Sequence, residues 1–123
     1  MPIDHVTIKV KDLASAKRFY AAALQPLGYE VLMEVDGFVG LGVNQKPDLW
    51  LATYAVTAPP AHVAFVAKDE AQVDAVHAAA LAAGGKDNGA PGPRPEYHPG
   101  FYGTFVLDPE GNNLEAVIHH HRA

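Results

Sequence analysis

The chain repeats itself. A shift of 57 residues lays His62-Val63 on His5-Val6, Phe65 on Ile8 and Lys68-Asp69 on Lys11-Asp12; it also lays Ala71 on Ala14, Leu81 on Leu24 and Gly85 on Gly28. A repeat of this kind decides the architecture, because each unit must bury its apolar face against a neighbour. Each half reads as a strand, a helix and then three strands. In the first half, Ile3–Val10 alternates with period two, as a strand does, with Val6, Ile8 and Val10 on one face and His5 and Thr7 on the other. Asp12 suits a helix cap. Ala16, Phe19, Tyr20, Ala23, Leu24 and Leu27 then form the stripe of an amphipathic helix, which Pro26 and Gly28 end.

Three strands follow: Tyr29–Val35, Phe38–Val43 after an Asp36-Gly37 turn, and Leu49–Tyr54 after a turn over Asn44–Asp48. Val56–Ala61 reads as a linker. The second half repeats the order, with helical positions Val73, Val76, His77, Ala80 and Leu81. Gly84–Tyr97, which holds Pro91, Pro93 and Pro95, reads as loop with room for only a short strand. Thr104–Leu107 and Leu114–Ile118 are a strand pair around the turn Asp108-Pro-Glu-Gly-Asn112. The expected fold is α+β: one domain over residues 1–123, with repeat one at 1–57 and repeat two at 58–123. Two βαβββ repeats place their helices on one face, and their curved mixed sheets form a concave cleft.

Glu115 poses the chemical question. It is the single carboxylate in an apolar strand, and a buried carboxylate is expensive unless it is paired, hydrogen-bonded or metal-bound. Its alternation with Leu114 and Ala116 puts it on the cleft side, with His5 and His62. Two imidazoles and a carboxylate suit an open divalent-metal site, with Fe, Ni, Zn or Mn as the ion and positions left for water and substrate. The other reading makes His5 and His62 neutral strand histidines bonded to neighbours, and Glu115 a partner of Lys9 or Arg94.

Composition removes several classes. There is no Cys, hence no disulfide, thiolate site or thiol nucleophile. A net charge of -5 with mixed signs argues against nucleic acid. No segment is long and apolar enough to span a membrane, and the start Met-Pro-Ile-Asp-His lacks a signal-peptide pattern, so a cytoplasmic protein is expected.

The paired halves resemble the vicinal oxygen chelate superfamily, which includes glyoxalase I, extradiol dioxygenases and the bleomycin resistance proteins. The carrying residues are His5-Val6, His62-Val63 and Gly103-Thr-Phe-Val-Leu-Asp-Pro-Glu-Gly-Asn-Asn-Leu-Glu115. The resemblance implies the βαβββ fold, metal ligands at His5, His62 and Glu115, and a homodimer. In one respect the chain departs from it. Glyoxalase I-like members carry a fourth ligand, a carboxylate, on the last strand of the first half, and Trp50 stands there in this sequence.

The expected function is that of a metal-dependent glyoxalase-like enzyme, of lyase or isomerase type. Its small-molecule substrate would chelate the metal through adjacent oxygens. The alternatives are an extradiol-type Fe(II) dioxygenase acting on a catechol-like ring and a metal-free protein that sequesters a drug or metabolite. His98 and Tyr102, in a Pro/Gly-flanked loop before the final strands, are the candidate acid–base residues. Trp50, Phe38 and Arg94 are the candidate substrate contacts. His119-His120-His121 reads as a solvated tail able to take up metal adventitiously.

Overall fold

The computed structural model describes residues 3–53 and 60–122. The element order is β1 (Val6–Lys9), α1 (Leu13–Ala23), a 3-10 turn (Gln25–Leu27), β2 (Glu30–Val35), β3 (Phe38–Val43) and β4 (Lys46–Ala52). The second half follows as β5 (His62–Val66), α2 (Glu70–Ala82), β6 (Lys86–Pro93), β7 (Tyr102–Leu107) and β8 (Asn113–Ile118). Both sheets have the same plan, β1-β4-β3-β2 and β5-β8-β7-β6, with the first pair parallel and the others antiparallel. This is the expected α+β fold of two βαβββ units.

Asp12 and Asp69 cap the two helices as their equivalence predicts, accepting from Ser15 N at 3.0 Å and from Gln72 N at 2.9 Å. Several boundaries differ from expectation: β1 covers only Val6–Lys9 of the Ile3–Val10 alternation, which leaves His5 before the strand, and β7 begins at Tyr102. β4 begins at Lys46, because Asn44 and Gln45 both take positive φ and make a tight two-residue hairpin. The Pro-rich stretch is a full strand, β6, at the sheet edge. Its pairing with β7 slips on either side of Gly89, and an edge strand tolerates proline because it needs no ladder bond on its outer side. Most of the expected linker, and Tyr54 at the expected end of β4, lie outside the described residues.

One apolar cluster runs through the helix-covered faces of both sheets. It joins Ile8, Leu41 and Leu49 of the first half to Phe65, Val106 and Leu114 of the second. Phe19 and Tyr20 explain why. They are consecutive and point about 100° apart on a helix, yet each is 1% exposed, so one sheet alone does not cover both. Tyr20 therefore reaches the other half, where its hydroxyl donates to Asp108 Oδ2 at 2.7 Å. The Glu110 carboxylate accepts from Lys11 N at 2.7 Å and Asp12 N at 2.8 Å, tying the start of α1 to the β7–β8 turn. The uncovered face of each sheet is turned away from this shared core.

The registers make the repeat exact at the site. Thr7 pairs with Trp50 and Ala64 pairs with Glu115, and the 57-residue shift carries Thr7 onto Ala64. Trp50 is therefore the structural counterpart of Glu115. Across the antiparallel pairs, Gly40 faces Trp50 where Phe105 faces Glu115. Bulk has been exchanged between neighbouring strands. A Cβ at Gly40 would sit 2.9 Å from the Trp50 ring. Gly40→Ala is thus expected to push the indole off its strand and to cost about 1–3 kcal/mol by overpacking. Trp50 is the chain's one tryptophan, so the displacement is readable as a shift in its fluorescence, and an unchanged spectrum and melting temperature would refute it.

Candidate active site

The compensation for Glu115 is His62. Glu115 lies in the middle of β8, and β5 runs parallel beside it, so two residues on the same uncovered face meet. His62 Nε2 lies 2.8 Å from Glu115 Oε1, with the Glu115 side chain 10% exposed and the imidazole 53% exposed. The carboxylate is buried to its tip and the imidazole stands at the mouth.

Both open onto a cavity of about 460 Å³, a size that suits a small organic ligand. Phe105, directly opposite Glu115, forms its floor, and Phe101 and Tyr97 form a wall, their rings packed edge-to-face at 4.9 Å. Asn88 and Asn113 add amide groups at the rim. Among these lining residues there is no Lys or Arg, and Glu115 is the one carboxylate. The site offers a cavity with one aromatic wall, one His–carboxylate pair and neutral hydrogen-bonding edges.

The other expected residues lie elsewhere. His5 precedes β1 and does not line the cavity of His62 and Glu115; it lines a second one, of about 370 Å³, with Asp48 and with Val63, Ala64 and Val66 of β5. Among the described residues no three His, Cys, Asp or Glu gather closely enough to hold a metal. His5 is held by its neighbours. Its Nδ1 donates to Asp4 Oδ1 at 2.8 Å, and Lys46 Nζ reaches the same oxygen at 2.9 Å. The hydrogen bond from His5, then the one from Lys46, holds the Asp4 carboxyl below its ordinary range. A His whose Nδ1–H is engaged by a carboxylate presents Nε2 as its lone-pair nitrogen. Trp50 and Phe38 share the uncovered face of the first sheet, Trp50 opposite Thr7 and Phe38 opposite Ala52, away from the cavity.

Tyr102 lies on the helix side of β7, where its hydroxyl donates to Asp74 Oδ1 at 2.8 Å. Burial and then that bond push its pKa up to about 12, the wrong direction for a base. His98 turns to the C-terminal strand end and pairs with His119. Arg94 is occupied by main-chain carbonyls: Nη1 donates to Gly92 and Gly103, and Nη2 to Ala90 at 2.9 Å. Its guanidinium also lies 5.1 Å from the centre of the Phe105 ring. It therefore clips the irregular edge strand together behind the cavity floor.

Five lining residues escaped the sequence reading. Phe105 carried a legible signal, because alternation back across the Asp108–Asn112 turn places it opposite Glu115. Asn113 depends on a parallel pairing between distant strands, and Asn88, Tyr97 and Phe101 on the path of an irregular loop, so none of these had a local signature.

For metal, the chain's own donors fit in part. His62 and Glu115 make a two-donor set on one wall, and the third expected donor, His5, is poised on the other half.

Comparison with known proteins identifies the fold family. A crystal structure of a glyoxalase/bleomycin resistance protein from Albidiferax ferrireducens matches with a TM-score of 0.80 and 28% identity, covering 97% of this chain and 98% of that one. A lactoylglutathione lyase from Agrobacterium tumefaciens shares the fold, with a TM-score of 0.69 and 22% identity over 94% of this chain and 91% of that one. A glyoxalase I mutant from Zea mays matches at 25% identity and a TM-score of 0.69, with 94% of this chain covering 46% of that one. No curated protein matches the sequence. The family model described as Glyoxalase/Bleomycin resistance protein/Dioxygenase superfamily matches residues 2–116. With the His62–Glu115 face and all but the end of β8 inside that match, the chain belongs to this superfamily.

Proposed function

We infer that this protein is a metal-dependent, glyoxalase-like enzyme of lyase or isomerase type, and that its site is shared between two copies. The observation that carries the reading is the His62–Glu115 pair at 2.8 Å, opening onto an aromatic cavity. The uncovered faces give the reason for two copies. One carries His62 and Glu115, and the other carries Trp50 beside His5. Laid over each other in a homodimer, they bring His5 of one chain to His62 and Glu115 of the next, and the exposed Met33 and Val35 on β2 gain cover.

A divalent ion held by these three residues would supply Lewis acidity to two adjacent substrate oxygens. The rest is done by the chain itself. Phe105 and Phe101 exclude water from one side of a flat substrate, which strengthens every electrostatic contact inside. The Asn88 and Asn113 amides orient its oxygens. Glu115 is the proton acceptor at hand, through a carboxylate oxygen that His62 does not engage, for a C–H next to a carbonyl.

A second reading has its own observation. His62 and Glu115 satisfy each other, no buried side-chain polar atom among the described residues lacks a partner, and Trp50 replaces a potential ligand with a stacking surface. These features suit a metal-free protein that sequesters a planar ligand.

Mixing two defective variants separates the readings. His5→Ala and His62→Ala chains, each unable to complete a site, are unfolded and refolded together, all in a parent background carrying His98→Ala, His119→Ala and His120→Ala so that no other histidines take up the ion. Random pairing leaves one intact site in half of the dimers, so nickel uptake recovers to roughly one quarter of the parent's per chain. Recovery with neither variant binding alone is the expected result. Absence of nickel from the parent dimer would discard the enzyme reading in favour of the sequestering one. Full uptake by the His5→Ala chain alone would remove His5 from the site.

A further inference from the structure

We propose a second metal site, distinct from the first, in which His98 and His119 bind a borderline-soft divalent ion such as zinc on the outer side of the cavity wall. The two imidazoles face each other, with His98 Nε2 2.9 Å from His119 Nδ1 and the ring planes 25° apart. The protonation of His98 is set by its other nitrogen. Nδ1 lies 2.6 Å from the Pro99 carbonyl, which only accepts, so Nδ1 carries the proton and Nε2 presents its lone pair. A ring N–H held by a main-chain carbonyl is the usual outer support of a metal-bound histidine.

The pair is held by more than itself. His121 N donates to Gly100 O at 2.9 Å, and a Cβ at Gly100 would lie 2.5 Å from His119 O, so the strand end and the loop are closely packed. Phe101 meets both rings edge-on, at 5.7 Å and 5.9 Å. Two zinc-bound nitrogens in tetrahedral geometry sit about 3.3 Å apart, so the rings need separate by only roughly 0.4 Å. Two neutral rings release no proton on binding. The His119 proton moves from Nδ1 to Nε2, and water fills the remaining positions. Because Phe101 also lines the cavity, an ion here stiffens the wall formed by Tyr97 and Phe101.

The test is titration of the full chain with zinc chloride, in a His62→Ala background that removes the first site. One equivalent is expected to bind. His98→Ala and His119→Ala should each weaken it at least about tenfold, since loss of a ligand costs no less than loss of an outer-shell partner. His120→Ala should not weaken it. Copper(II) in place of zinc should show coupling to two ring nitrogens in its electron paramagnetic resonance spectrum. Both positions are at the surface, and an unchanged melting temperature in each variant confirms folding. Equal loss in His120→Ala would mean a simple chelate of the histidine run, and undiminished binding in His98→Ala would mean that the loop takes no part; either result overturns the site.

Discussion

Replacing Asp108 with alanine is expected to destabilise the protein by about 4 kcal/mol, the largest loss from any single side chain outside the apolar core. Asp108 is 5% exposed and gathers four donors. Oδ1 accepts from Glu110 N at 2.8 Å and Asn112 N at 2.9 Å, and Oδ2 from the Tyr20 hydroxyl at 2.7 Å and Asn112 Nδ2 at 2.9 Å. Burial, then the Asp108 carboxylate, hold the Tyr20 hydroxyl far above the ordinary phenol range, so it remains a donor. Alanine leaves these donors unpaired in a dry place, and each buried one costs roughly 1–3 kcal/mol. For a domain of this size the sum lowers the melting temperature by about 15 °C. Tyr20→Phe removes one donor together with its bond, and should cost only about 1 kcal/mol. Thermal melts followed by circular dichroism decide it. A loss below 1 kcal/mol for Asp108→Ala would mean that the Asp108 cluster adds little to holding the halves together.

Glu115→Gln and His62→Ala are expected to lower nickel affinity at least about 100-fold, since even outer-shell changes cost up to that much. The two variants differ in stability. Glutamine keeps an oxygen for His62, whereas His62→Ala strands the carboxylate, 10% exposed, and should cost about 1–2 kcal/mol. Calorimetric titration in a His98→Ala background reads the first site without the second. Affinity kept within a factor of three in both variants would show that the pair is structural, serving only to keep Glu115 paired.

Much of this architecture is local and therefore legible. The period-two stretch at β1, the stripe of α1, the Asp caps and the β7–β8 turn each follow from residues within a few positions of one another. The equivalence of Trp50 and Glu115 came only from the pairing registers, because the 57-residue shift does not carry one onto the other. The edge strand β6 was hidden because its proline content argues against a strand unless its outer side is known to be unpaired. The destinations of Tyr102, His98 and Arg94 were hidden for a related reason. All three are polar residues near a cleft motif, and which face or carbonyl they meet depends on how an irregular loop crosses the sheet.

By itself, the sequence determined the two βαβββ units, their equivalence, and the face that His62 and Glu115 share, because period, capping and turn chemistry act over short range. Tertiary structure alone decided that the halves bury their helices against each other, with Phe19 and Tyr20 sharing one core, and that His62 rather than His5 compensates Glu115. The reason is physical. A repeat specifies what each unit must hide, but two units can hide it in more than one arrangement. The choice among these arrangements rests on contacts between residues far apart in the chain, such as the one between Tyr20 and Asp108.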